Sequence, residues 1–157
     1  MKQEITNTNE TSQDLFIRIM RWNHDRDNDN FDHYLETKML AEELFEFCGY
    51  SNKEAKTLAV EFANKHSSKQ TEMKNDILTI KSIDPATGES IIRTITKSAL
   101  VDAIGDIQFI SIGTNYKLEV DPAIVLKRIC DHNDAKGSKK DADGKIIKDA
   151  SFIEPQH

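Results

Sequence analysis

Between Lys97 and Leu118 the chain is apolar on almost every side of a helical wheel, yet it carries two aspartates in its middle. Leu100, Val101, Ala103, Ile104, Ile107, Phe109 and Ile110 surround Asp102 and Asp106, which stand one turn apart. A helix apolar nearly all round is normally buried. An ionised carboxylate in such a place is costly unless it is compensated, and like charges at this spacing repel. The expectation is a core helix whose aspartates meet something positive.

A second acidic run lies on another helical pattern. From about Asp32 to Cys48, Leu35, Met39, Leu40, Leu44, Phe47 and Cys48 are the core candidates, and Gly49 is placed to end the helix. Within this helix Glu42 and Glu43 stand four and three residues before Glu46, so each shares a face with it. Neither acidic helix offers lysine or arginine at matching spacing, and Arg93 and Lys97 lie a turn or more from Asp102. Carboxylates in this number, with oxygen as the only donor, suit Mg²⁺ or Mn²⁺, whereas zinc prefers histidine and cysteine. For the three glutamates alone a solvated helix face fits equally well. The joint pattern, EExxE followed by DxxxD, is more specific than either half.

The rest of the chain reads as further helices around one change of period. Thr11 or Ser12 caps a first helix with Leu15, Phe16, Ile19, Met20 and Trp22 on its apolar stripe. Ser51 caps a third, to about His66, with Ala55, Leu58, Ala59, Phe62 and Ala63 inward. Two β-branched runs, 77–83 and 90–96, flank the turn-rich Asp84-Pro85-Ala86-Thr87-Gly88-Glu89 and predict a β-hairpin. Asp121-Pro122 opens a last helix to about Asp134, with proline in its first turn. Residues 1–10 are polar and expected to fray, leaving one domain over 11–157. The expected fold is an all-α antiparallel bundle with a small hairpin inserted near 77–96.

Composition narrows the function classes. A length of 157 residues, with 38% hydrophobic and 31% charged, suits a globular domain. No apolar run approaches the roughly 20 residues of a membrane span. Met1-Lys2-Gln3-Glu4 is unlike a secretion signal, so a cytoplasmic location is expected. Acids outnumber bases 27 to 21, for a net charge of −6, which disfavours extended nucleic-acid binding. Cys48 and Cys130 have no CxxC partner and read as buried free thiols.

EELFEF, followed some fifty residues later by DAIGDIQFISIG, resembles the all-α nucleoside triphosphate pyrophosphohydrolases of the MazG-like superfamily. Trp22-Asn23-His24-Asp25-Arg26 is similar to a WxxxR segment of that group, and Asn133-Asp134-Ala135-Lys136 to its NxxK element. Gly144-Lys145-Ile146-Ile147-Lys148, then Phe152 and Pro155, is similar to the tail of its small phage and bacterial branch. Many members carry ExxD where this chain has DxxxD. The hairpin also lengthens the usual link between the acidic helices.

The resemblance implies hydrolysis of a ribo- or deoxynucleoside triphosphate to the monophosphate and pyrophosphate. Glu43, Glu46, Asp102 and Asp106 would hold Mg²⁺, and Glu42 or Glu46 would act as the base that orients water. Asn133, Lys136, Lys145 and Lys148 would contact the phosphates, with Trp22 stacking on the base. A homodimer or homotetramer is expected, since a small bundle often leaves an apolar face to cover. A phosphoribosyl-ATP pyrophosphohydrolase and a non-catalytic nucleotide- or partner-binding module are the alternatives.

Overall fold

The computed structural model describes residues 10–155 with the exception of residue 70. Apart from Glu10, the stretch expected to fray lies outside the described residues. In chain order the elements are α1 (Ser12–His24), α2 (His33–Phe47), α3 (Asn52–His66), β1 (Glu72–Lys74), β2 (Ile77–Ile83), β3 (Ser90–Thr96), α4 (Lys97–Lys117) and α5 (Pro122–Asp134). This is a mixed fold of helices with a three-stranded antiparallel sheet, which corrects the all-α expectation. The predicted hairpin is β2 and β3, paired from Ile77 with Thr96 to Ile83 with Ser90. The addition is β1, which pairs with β2 across Asn75 and Asp76. Both turn residues have positive φ, 52° and 58°, the conformation of a tight two-residue hairpin turn.

The helix ends follow local chemistry. Thr11 and Asp14 form a reciprocal capping box on α1, and Ser51 and Glu54 form another on α3. Asp32 accepts hydrogen bonds from the Tyr34 and Leu35 amides at the start of α2, and Asp121 caps α5 ahead of Pro122. Gly49, at φ 94°, ends α2 by turning left-handed, so that the Tyr50 amide reaches the Phe45 carbonyl.

The chain divides into two compact units, Phe31–Ile104 and the pair Met1–Asn30 with Gly105–His157. In the first, α2 and α3 pack along each other. Ala55, Ala59 and Ala63 form a buried stripe at four-residue intervals, small enough for the helices to approach closely. The facing side of α2 buries Tyr34, Leu35, Lys38, Ala41 and Glu42, and the Tyr34 hydroxyl donates to Asn64 Oδ1 at 3.0 Å. Of the expected apolar stripe of α2, Leu35 is buried and Met39 half-buried, whereas Leu40, Leu44 and Phe47 are exposed, as is Cys48. Alternate residues Leu78, Ile80 and Ser82 of β2 are buried, and β2 packs against α3.

In the second unit α1 packs on α5. Leu15 is fully buried and Cys130 nearly so, while Phe16 and Met20, also expected inside, are exposed. The tail is folded rather than merely solvated. Lys140 bridges to Ile146, Ile146 is buried, and Lys140 Nζ donates to the Asp27 carbonyl at 2.8 Å.

The largest departure is α4. No residue of this helix is buried, although its pattern predicts a core element. Phe109 is 80% exposed and Tyr116 81%. Burial within α1, α2, α3 and α5 is satisfied by the α1–α5 and α2–α3 pairs, and α4 is left with its apolar sides in solvent.

Candidate functional site

The EExxE run does not act as one face. Successive helical residues are rotated by about 100°, and this separates Glu42 from Glu43. Glu42 lies on the side turned to α3 and is 5% exposed, whereas Glu43 is exposed and Glu46 half-buried. Lys38 is buried one turn before Glu42. A cation at the spacing at which opposite charges meet on a helix therefore does exist on α2, contrary to the sequence expectation. Glu46 accepts a hydrogen bond at 2.6 Å from the Asn52 side-chain amide, at the first turn of α3.

Glu36 is a further acid of α2 that the motif reading passed over. It stands seven residues before Glu43, on the same side of the helix. Its burial, and secondarily the nearby charge of Asp32, push its carboxyl above the usual range. For an acid with a raised folded-state pKa, the native state binds more protons than the unfolded state between the two pKa values. Stability from this group is thus highest below its ordinary value and declines as pH rises through it. We predict that Glu36→Gln raises the melting temperature at neutral pH, and that the gain disappears when melts are repeated in acid below that range.

Asp102 and Asp106 stand one turn apart on α4, both exposed. No lysine or arginine intervenes between Lys97 and Lys117. The helix is fixed at its start by the Lys97 amide, which donates to the Asp76 carbonyl, and by Thr96 Oγ1, which accepts from the Ala99 amide.

Among the described residues, no three histidine, cysteine, aspartate or glutamate side chains come together in a group that could hold a metal ion. The acids instead form pairs, Glu43 with Glu46 and Asp102 with Asp106, each on its own helix. A pair suffices for one class of ion. Mg²⁺ is usually bound through one or two carboxylates with substrate phosphates and water completing its shell, rather than by an all-protein cage. The oxygen-only donor set fits that ion.

Three of the expected substrate-binding residues are brought together in the second unit. The Trp22 indole N–H donates to the Asn133 carbonyl at 2.8 Å, and Lys136 Nζ donates to Asn133 Oδ1 at 2.7 Å. Arg26 lies over the Trp22 ring, 4.7 Å from its centroid. Its guanidinium donates to the carbonyls of Gly137 and Lys136 at 3.1 and 2.8 Å, with longer contacts to those of Asp134 and Trp22. The carbonyls of Asp134, Lys136 and Gly137 lie at the end of α5 and just beyond it, where backbone acceptors lack helical partners. The W…R spacing thus clamps the end of α5 against α1.

The same helices carry a charge network that the sequence reading missed. Arg18 reaches Asp131 and Asp134, each at 2.6 Å, and Glu10 at 3.3 Å, while Lys127 holds the other oxygen of Asp131 at 2.8 Å. Burial works against the Asp131 charge, but the hydrogen bonds from Lys127 and Arg18 outweigh it and hold the carboxyl below its ordinary range. Arg18, Arg21, Trp22 and Arg26 line one open groove of about 700 Å³, shared with Glu10, Asp25 and Asp134.

The tail lysines differ from one another. Lys148 Nζ is 3.3 Å from Glu154 and lies over the Phe152 ring, whereas Lys145 is half-buried, with its amide donating to Asp141. Elsewhere, His33 Nδ1 and Ser67 Oγ are 2.6 Å apart, but Ser67 is 2% exposed and not open to a substrate. Burial raises the Cys130 thiol, which keeps it protonated. Among the described residues, no helix is long and apolar enough to cross a membrane. Comparisons with family models, with curated proteins and with solved structures find no match to this chain.

Proposed function

We propose that this chain hydrolyses a nucleoside triphosphate to the monophosphate and pyrophosphate, with Mg²⁺ entering together with the nucleotide. One observation carries this reading. The sequence pairs its acids twice, and the members of the DxxxD pair stand exposed, one turn apart, on a helix without a cation between its ends. Repulsion between two such carboxylates is unfavourable in an empty protein and favourable toward a divalent ion.

In this reading the residues that would hold an ion are the pair Asp102 and Asp106 on α4 and, separately, the pair Glu43 and Glu46 on α2. A divalent ion held there would supply charge neutralisation for the phosphate oxygens and activation of water. Of the two candidate bases, Glu46 is the better placed. Its carboxylate is accessible and oriented by Asn52, whereas Glu42 is buried on the α3 side. Lys136 and Asn133 are held within hydrogen-bond distance of each other and would act on phosphate as one unit. Trp22 contributes less freely than expected, because its indole N–H is engaged by Asn133 and Arg26 lies over its ring.

The test is a screen of ribo- and deoxynucleoside triphosphates, scored for monophosphate and pyrophosphate. Turnover with Mg²⁺ that stops in EDTA supports the proposal. Preference for phosphoribosyl-ATP over the whole panel would favour the related activity instead. Nucleotide binding without products would make the chain a binding module.

A further inference from the structure

We propose that β3 takes up an extended segment of another protein, added antiparallel along its free edge, with an acidic side chain of that segment set against Arg93. In the sheet order β1-β2-β3 this strand lies at one edge. Two bonds flank its pairing with β2, from the Asp84 amide to the Glu89 carbonyl and from the Lys97 amide to the Asp76 carbonyl, and they fix the phase of the ladder. In an antiparallel pair, hydrogen-bonded positions alternate with non-hydrogen-bonded ones. Ile91, Arg93 and Ile95 therefore turn their backbone groups to β2, while Ser90, Ile92 and Thr94 turn theirs outward. Among the described residues, no hydrogen bond meets these outward groups.

Native sheets protect their edges with short strands, lysine, proline or bulges. The opposite edge follows that practice, since β1 is three residues long and carries Glu72 and Lys74. β3 does not. It is seven residues long, has no proline, and is β-branched at every position but Ser90 and Arg93. Ile91 is 41% exposed and Ile92 63%. A row of outward amides and carbonyls is matched by another extended backbone, and the isoleucines favour β-branched side chains on it.

Charge selects the occupant. Arg93 is the one ionised side chain of the strand and stands at its centre. Its guanidinium donates to the His66 carbonyl, a neutral acceptor, and among the described residues no carboxylate pairs with it. On the free edge Arg93 falls at a non-hydrogen-bonded position, where opposed side chains come closest. A second copy of β3, paired two-fold over the whole strand, would set Ile91 against Ile95 and Arg93 against Arg93. Like charges directly opposed are destabilising, and an acid at that place is favourable. The edge therefore suits a different strand with an acid at its centre.

The experiment titrates the ¹⁵N-labelled full chain with the end-capped peptide Thr-Val-Thr-Glu-Ile-Val-Thr. The buffer contains EDTA and no nucleotide, which keeps the result independent of the pyrophosphohydrolase reading. The amides of residues 90–96 are expected to shift saturably, with those of Ser90, Ile92 and Thr94 slowed in solvent exchange. Lysine in place of the peptide's glutamate is expected to weaken binding roughly three- to five-fold, and Arg93→Glu to reverse that preference. Proline in place of the peptide's isoleucine removes the amide that faces Ile92 and is expected to abolish binding. The three peptides are compared on wild-type protein, so the outcome does not depend on how a variant folds. Three results would each overturn the proposal: no shift over 90–96 at millimolar peptide, equal binding of the glutamate and lysine peptides, or shifts of these amides with protein concentration alone, which would give the edge to a second copy.

Discussion

Asp102→Asn and Asp106→Asn are each expected to lower pyrophosphate release by about 100-fold or more while the helices stay folded. A metal at the reacting phosphates supplies several kcal/mol of charge stabilisation, and about 1.4 kcal/mol corresponds to a factor of ten in rate. The same substitutions should leave unfolding in EDTA almost unchanged or shift it slightly upward. Two like charges one turn apart on an exposed helix repel by only a few tenths of a kcal/mol. This split, a large kinetic loss against a null or small positive stability change, separates a metal-binding pair from carboxylates that hold the fold together. Glu43→Gln and Glu46→Gln belong to the same class. Glu42→Gln does not, because Glu42 is buried on the side of α2 turned to α3, and it should cost stability first.

The second large effect is structural. Arg26→Ala removes the hydrogen bonds to the Gly137 and Lys136 carbonyls and uncovers one face of Trp22. Each hydrogen bond from a charged donor contributes about 1.5–3 kcal/mol, and the carbonyls beyond α5 lose a capping group. The expected destabilisation is about 2–4 kcal/mol in urea unfolding followed by Trp22 fluorescence. Arg26→Lys should recover only part of it, since an ammonium is a point donor and cannot span two carbonyls as the planar guanidinium does. Equal stability of Arg26→Ala and wild type would show that the clamp does not hold α5.

The contrast between sequence and structure follows the range of the forces involved. Helix ends were legible because they are decided within four residues: Thr11 with Asp14, Ser51 with Glu54, Asp121 with Pro122, and Gly49 after α2. The β2–β3 hairpin was legible from its β-branched runs. The strand β1 was not, because Glu72-Met73-Lys74 has no strand composition and exists by pairing to β2, although Asn75-Asp76 is a hairpin-turn signal.

Faces were harder to read than elements. On α2 the more hydrophobic side, Leu40, Leu44 and Phe47, faces out, while the side with Lys38 and Glu42 faces in. The alanine stripe of α3 selects it by shape, and the i,i+4 spacing lets opposite charges enter together. On α4 the sequence pattern predicts burial that the single chain does not provide. The acidic motifs were legible as pairs, since spacing along one helix is a local property. Their expected convergence into one cluster of four depends on how separate helices are placed, and among the described residues no group of three forms.

The most direct test of the central claim is a product analysis by ³¹P NMR, in which the chain is incubated with nucleoside triphosphates and Mg²⁺. Cleavage between the α and β phosphates predicts monophosphate and pyrophosphate in equal amounts, abolished by EDTA and by Asp102→Asn. Release of orthophosphate and nucleoside diphosphate, or turnover indifferent to both EDTA and Asp102→Asn, would contradict it.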